Sequence, residues 1–452
     1  MIKIENTPGY NHMRKDILGG NVTGIWANNS FFIGANSFPV MNYHYLTAKY
    51  NNFEKNLFEN DQKINYHLSG YGTLYNETLT SFLGESSERY SYTALYTNIK
   101  KFIVKSSYEQ LKQRFPDDLV CDLEIINSYF SPQDKENYID EKDEITWMPM
   151  NSLIETGKRT FIPLQLLVMF DQEIFKNEKR YITSSVSTGT ASQETFEESV
   201  ESAIIEYLQI DSFNIWWYSG FEGLKLDLDI KQKLRKWFNN QFLINEFIRN
   251  FQITFSDISL DKDIFVILCE VTAKKEGLPK YVIGVQGGYN LEKCIYRSFM
   301  ECVTVLEYAF NIVWIDPSKF KNIGTDVQKL EIDNLDDNII FYAKTGKPNR
   351  KTRKFPYNQT DREKINNLPM LIKSLKRFSK YAGVLCITPP EFKKMNLFIS
   401  RVVIPELLPI ALPSYPPYYH KRYRMLGGDY QSFTSPSCIV LDFCCACFRV
   451  LY

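Results

Sequence analysis

Residues 280–310 read KYVIGVQGGYNLEKCIYRSFMECVTVLEYAF, and the pattern of this stretch changes at the glycine pair Gly287 and Gly288. Residues 280–288 form a short run rich in Val and Ile, bounded by turn residues, which predicts a buried strand. From Leu291 to Phe310 the apolar residues recur at helical spacing, so a helix follows the strand directly. Within that mostly apolar helix stand Arg297 and Glu301, one turn apart. An exposed pair of this kind contributes roughly 0.3 kcal/mol, and burial demands a stronger reason to keep two charges.

The same alternation runs outward along the chain. Strands are expected over 160–170 and 263–272, and helices over 78–90, 195–211 and 231–250. No fixed-period repeat is present, so the expected class is α+β, with mixed sheets and packed helices. Two polar segments, 131–144 and 344–364, read as surface loops, and the second carries six basic residues between Lys344 and Lys354. Such a loop is either a solvated surface or a docking site for an acidic peptide segment. The proline-punctuated run 402–424 should be extended, because its prolines forbid a regular helix.

Composition excludes several classes of function. At 452 residues the chain can bury a sizeable core, and its 53 Lys and Arg balance 53 Asp and Glu. No net field draws it to nucleic acid or to a membrane surface, and no apolar run reaches the ~18 residues of a membrane span. Without a signal-like N-terminal run, the default expectation is a cytoplasmic protein. Nine cysteines, an odd number, read as reduced and mostly buried thiols; the cluster Cys444, Cys445 and Cys447 lacks the second spaced pair of a soft-metal site. There is no G-x-x-x-x-G-K-[ST] loop, no H-E-x-x-H and no G-x-S-x-G elbow. Gly70 with Gly72, and Gly284 with Gly287, lack the third glycine of a dinucleotide fingerprint.

Polar stripes on three helices carry the chemistry instead. In a helix over 78–90, Ser81, Glu85, Glu88 and Arg89 follow one another at +4, +3 and +1. Taken alone, that stripe reads as a solvated face with a local ion pair, and it needs the other helices to mean more. In 195–211, Glu198, Ser202, Glu206 and Gln209 recur at +4, +4 and +3, and Glu206 stands among Ile204, Ile205, Tyr207 and Leu208. A carboxylate in so apolar a helix needs a cation or a donor to compensate it, which a structural salt bridge could also supply. If the stripes converge with Arg297 and Glu301, five carboxylates repel one another unless cations intervene. Hard oxygen ligands suit magnesium, while arginine and serine donate to phosphate oxygens, so the set points to a nucleotide site without a glycine loop.

These residues resemble the motifs of the YcaO-domain family. SFLGESSER (81–89) is similar to its S-x-x-x-E-x-x-E-R motif, ETFEESVESAIIEYLQID (194–211) to its second glutamate-rich helix, and GVQGGYNLEKCIYRSFMEC (284–302) to its R-x-x-x-E segment. The resemblance implies an N-terminal extension 1–63, an ATP-binding catalytic domain 64–425 with its site at the junction of three helices, and a C-terminal tail 426–452. It implies ATP and Mg2+ as cofactors, with Ser81, Glu85, Arg89, Glu198 and Arg297 serving the nucleotide. Glu85, Glu88, Glu198, Glu206 and Glu301 would be metal ligands, and Arg297 and Glu206 the catalytic residues.

In the family's peptide-modifying branch, a Cys, Ser or Thr side chain of a ribosomally made precursor attacks the preceding amide, whose oxygen is phosphorylated. Loss of phosphate then leaves a thiazoline or oxazoline. The implied partners are a precursor peptide with a leader, an E1-like (ThiF-like) leader-binding protein and a flavin dehydrogenase that oxidises the rings. Thioamide or amidine formation and a catalytically silent scaffold are the alternatives the resemblance leaves open. Two departures stand out: Gln209 and Ile210 replace a glutamate and an arginine of the family pattern, which weakens one metal ligand. Past a proline-rich PSYPPYYHKRYRML (413–426), the chain ends SPSCIVLDFCCACFRVLY.

Overall fold

The computed structural model describes residues 8–20, 24–26, 32–35, 44–49, 67–129, 132–168, 175, 177–179, 187–238, 240–260, 264–315, 317–324, 332, 335–348, 353–354, 365–411 and 417–427. Among these residues, helices pack on several sheets, as the α+β expectation requires. A three-stranded antiparallel sheet joins Phe32–Ala35, His44–Lys49 and His67–Gly72. A four-stranded antiparallel sheet runs Leu224–Lys225, Phe251–Asp257, Phe265–Ala273, Tyr281–Gly288. A larger mixed sheet has Ile145–Ser152, Gly383–Cys386 and Phe398–Val403 at its centre and Thr190–Gln193 at one edge.

Each sheet presents an edge strand to a helix. Tyr75–Thr93, the first site helix, lies against His67–Gly72 and Thr190–Gln193. Phe196–Ser219, the second, lies against Thr190–Gln193, Phe398–Val403 and Tyr281–Gly288. Leu291–Ile315, the third, covers Tyr281–Gly288 and Phe265–Ala273. The glycines that failed as phosphate loops explain how closely these layers meet. A Cβ on Gly70 would sit 2.4 Å from the Phe82 backbone nitrogen, and one on Gly284 2.2 Å from the Ser298 carbonyl oxygen. Both distances lie far inside van der Waals contact, so only glycine lets the helix backbone rest directly on the strand.

Several elements differ from the sequence reading. The second site helix runs eight residues past Asp211, because no Gly or Pro interrupts it until Gly220 caps it with φ 72°. The helix expected over 231–250 is two helices, Ile230–Trp237 and Gln241–Asn250; Asn240 restarts the chain by accepting from the Leu243 N–H at 3.1 Å. The strand expected over 160–170 is Arg159–Pro163 followed by a 3-10 turn, Leu164–Leu166, since Pro163 brings no N–H to extend a ladder. Lys421–Gly427 is helical although the chain was expected to be extended as far as residue 424, because the prolines stop at Pro417.

The segment ahead of residue 64 is tied into the rest of the molecule. His44–Lys49 shares a sheet with His67–Gly72, Asn11 donates to the Thr80 hydroxyl at 2.9 Å, and the buried Arg14 donates to the Met395 carbonyl. The C-terminal segment is anchored through Asp211, fully buried in the second site helix. One of its oxygens accepts from Arg422 at 2.6 and 2.9 Å and the other from the Leu408 N–H at 3.0 Å. In the basic segment, Lys344 donates to the carbonyls of Phe320 and Ile323, and Lys347 pairs with Glu270 at 2.6 Å. These two cations therefore serve the chain's own packing, while residues 349–352 and 355–364 lie outside the described residues, as do the tail from 428 and its cysteines. Cys121, Cys269, Cys294 and Cys302 are buried free thiols and Cys386 is exposed. No helix among the described residues is long and apolar enough to cross a membrane.

Candidate functional site

The three helices anchor their carboxylates on backbone N–H groups of the edge strands or, for Glu206, of the turn that leads into one. An edge strand has outward N–H groups that need an acceptor. Glu85 accepts from the Ser69 N–H at 2.9 Å and its hydroxyl at 3.1 Å, Glu88 from the Ser192 N–H at 2.9 Å, Glu206 from the Gly189 N–H at 3.0 Å, and Glu301 from the Val285 N–H at 2.6 Å. Four of the five carboxylates singled out in the sequence are thus fixed through one oxygen. For Glu88 and Glu301 the second oxygen makes no hydrogen bond among the described residues.

The fifth, Glu198, stands apart. It is exposed in the first turn of the second helix, where its carboxylate accepts from the Thr195 hydroxyl at 2.9 Å while the Thr195 hydroxyl accepts from its backbone N–H at 3.2 Å. This is a capping arrangement, and the T-x-x-E spacing of Thr195 and Glu198 was its readable signal.

Glu88, Arg89, Tyr92, Ser187, Thr190 and Glu206 line a cavity of about 20 Å3, room for a water or an ion and far too small for a nucleotide. Burial raises the Glu88 carboxyl to about 8, and the neighbouring Glu206 pushes in the same direction. Glu206 is itself raised to about 7 by burial, against the pull of the Gly189 N–H and of Arg89 and Arg401. Like charges this close, with little solvent, hold protons until a cation replaces them.

A second group surrounds Tyr71, whose buried phenol feels Arg297, Glu301, Glu85 and Glu77 and is pushed above its ordinary range, chiefly by burial. Arg297 lies over the Tyr71 ring at 4.7 Å and pairs with Glu77 at 3.4 Å. Burial raises Glu301 to about 7, opposed by the Val285 N–H and Arg297. The two groups meet through Glu85, whose other oxygen lies 3.7 Å from Arg89. Ser81 is half-buried one turn before Glu85 on the same helix.

Two residues of the site, Glu77 and Arg401, escaped the sequence reading, and a third residue, Asp211, was left without a partner there. Glu77 extends the first stripe by one turn, at −4 from Ser81, and accepts from the Thr73 N–H at 3.0 Å as well as pairing with Arg297. Arg401, 1% exposed, lies over the Tyr92 ring at 4.9 Å and donates to the carbonyls of Thr188 and Leu166, fixing the turn behind Glu206. Its signal was a lone cation in the apolar run FISRVV. Asp211 was visible at the end of the second motif, and only the fold pairs it with Arg422.

The donor set suits a divalent cation: paired, proton-holding carboxylates offering hard oxygens, with arginines beside them for phosphate. Among the described residues no three His, Cys, Asp or Glu side chains already converge as a closed metal cage.

A family model described as YcaO cyclodehydratase, ATP- and Mg2+-binding, matches residues 69–408. No curated protein matches the chain. Among solved structures, a heterocyclase in complex with substrate and cofactor is similar at a TM-score of 0.62 and 18% identity, over 89% of this chain and 52% of that one. The chain therefore spans about half the length of that relative. YcaO from Methanopyrus kandleri, bound with AMPPCP and Mg2+, is similar at 0.54 and 12% identity, over 88% of this chain and 90% of that one. The E. coli microcin synthetase McbBCD complex gives 0.55 and 11%, over 86% and 90%. At these identities the likeness carries the fold. ATP and Mg2+, the cofactors expected from the motifs, are the two that the matching family's description names.

Proposed function

We propose, from the premise that this chain belongs to the YcaO family, that it is an ATP-dependent cyclodehydratase subunit forming thiazoline or oxazoline rings in a ribosomally made precursor peptide. The observation that carries this reading is the facing pair Glu88 and Glu206 beside Arg89 in one cavity, with both carboxyls raised toward neutrality. Such a pair is costly unless it serves a cation.

In the reaction, the side-chain thiol or hydroxyl of the peptide adds to the preceding amide carbon. The carbonyl oxygen takes the γ-phosphoryl group of ATP, releasing ADP, and departs as phosphate while the amide nitrogen loses its proton to leave the C=N bond of the ring. Peptide therefore loses one water per ring, carried off in the phosphate. Bound Mg2+ would neutralise charge at the transferred phosphoryl and orient it.

This chain's residues have distinct parts in that scheme. Glu85, Glu88, Glu206 and Glu301 would each offer Mg2+ the carboxylate oxygen that its backbone anchor does not take. Arg89 and Arg297 would donate to phosphate oxygens, with Arg297 aimed by Glu77 and the Tyr71 ring. Ser81 would add a donor one turn away. Glu198, exposed and engaged by Thr195, would join only if its cap opened. The relatives solved with a substrate and as a complex support a substrate and partner subunits here as well; in this reading they are a precursor peptide with its leader, a leader-binding E1-like protein and a flavin dehydrogenase that acts on the rings afterwards.

The test is direct. Protein, partner, precursor and Mg2+-ATP should yield peptide lighter by one water per ring together with ADP and phosphate. Consumption of ATP with no loss of water from the peptide would refute the azoline assignment.

A further inference from the structure

Gln209, which reads in sequence as a lost metal ligand, makes two of the most specific contacts between site elements. Its amide nitrogen donates to the Val285 carbonyl at 2.9 Å, and its amide oxygen accepts from the Gly287 N–H at 2.7 Å. Those two backbone groups lie on the free edge of Tyr281–Gly288, which pairs with Phe265–Ala273 on its other side. The N–H of Val285 on the same edge is taken by Glu301. One residue of the strand is therefore gripped by the second helix through its carbonyl and by the third helix through its N–H. Gly287 permits the approach: a Cβ there would lie 3.1 Å from both the Gln209 Cβ and a methyl of Ile205.

We propose that Gln209 is a positioning residue, a clasp that locks the second helix to strand 281–288 in a single register and so fixes Val285, the anchor of Glu301. The clasp needs one donor and one acceptor at fixed places. A carboxylate supplies acceptors only and would set an oxygen against the Val285 carbonyl, so glutamate cannot replace glutamine without loss. The inference rests on the nucleotide reading above for its second readout only.

The first readout is hydrogen exchange in the peptide 281–288 of the full chain, which needs no nucleotide. The second is calorimetric affinity for Mg2+-AMPPCP, measured well below the unfolding temperature. With two hydrogen bonds lost, Gln209→Met should speed exchange at Val285 and Gly287 about tenfold or more and weaken Mg2+-AMPPCP about tenfold. Gln209→Glu should lose at least as much, with no gain in Mg2+ affinity. Should Gln209→Met fail to fold, Gly287→Ala strains the same clasp while keeping the amide, and is expected to move both readouts in the same direction.

Tighter Mg2+ binding in Gln209→Glu would overturn the proposal, since an added metal ligand would do that. Unchanged exchange, or faster exchange with unchanged affinity, in Gln209→Met would overturn it too, because nothing would then be positioned. If wild-type protein binds no Mg2+-AMPPCP while exchange still accelerates in the variant, the clasp stands and the nucleotide reading fails.

Discussion

Glu206 shows how one carboxyl links stability to function at the residue scale. Its folded pKa, raised to about 7, lies above that of an unfolded glutamate, so the native protein holds a proton that the unfolded chain has released. Its destabilising effect is absent below the unfolded value and grows as pH rises through the folded one. Glu206→Gln keeps an acceptor for the Gly189 N–H and removes the charge. In urea titrations without metal it should therefore gain about 1 kcal/mol at about pH 8 and nothing near pH 4, while losing Mg2+-AMPPCP binding. The same sign governs ligand binding. Because Glu88, Glu206 and Glu301 titrate near about 8, 7 and 7, Mg2+-AMPPCP affinity should rise with pH up to about 8. Protons should be released on binding, measurable by calorimetry in buffers of different ionisation enthalpy.

At the scale of elements, the site depends on helices lying directly on strands. Gly284→Ala would push a methyl into the Ser298 carbonyl and the Cys302 N–H, forcing the third helix outward. A loss of about 1–3 kcal/mol is expected, with weakened nucleotide binding, read by urea unfolding and calorimetry. How much of this was legible follows the range of each interaction. Glu85, Glu88, Glu206 and Glu301 could be read because helical spacing and apolar neighbours are local properties of the chain. Glu198 shares that spacing with Glu206, and its carboxylate also accepts from its neighbour Thr195 in a local cap. Arg401, Glu77 and the clasp of Gln209 could not be assigned roles in advance, because their partners lie far away in sequence or on another element. Helix limits failed for similar reasons: Asn240 splits 231–250 by a side-chain cap, and Pro163 ends a run that hydrophobicity alone would continue.

Among the described residues the site is held by packing its three helices against edge strands of three sheets and by tying the C-terminal segment back to the second helix. Asp211 and Arg422 are that tie: two guanidinium nitrogens donate to one oxygen of the buried Asp211, and the Leu408 N–H donates to the other. Asp211→Asn leaves a buried guanidinium without its counter-charge and should cost about 3–5 kcal/mol, with earlier proteolytic cleavage after residue 404. The central claim is that the carboxylates of the three helices form one Mg2+-nucleotide site. Calorimetric titration of the full chain with AMPPCP, with and without Mg2+, tests it most directly. The account predicts binding that requires Mg2+ and falls about 100-fold or more when Glu88→Gln and Glu206→Gln are combined in a protein that remains folded. Binding indifferent to Mg2+, or unchanged in the double variant, would contradict it.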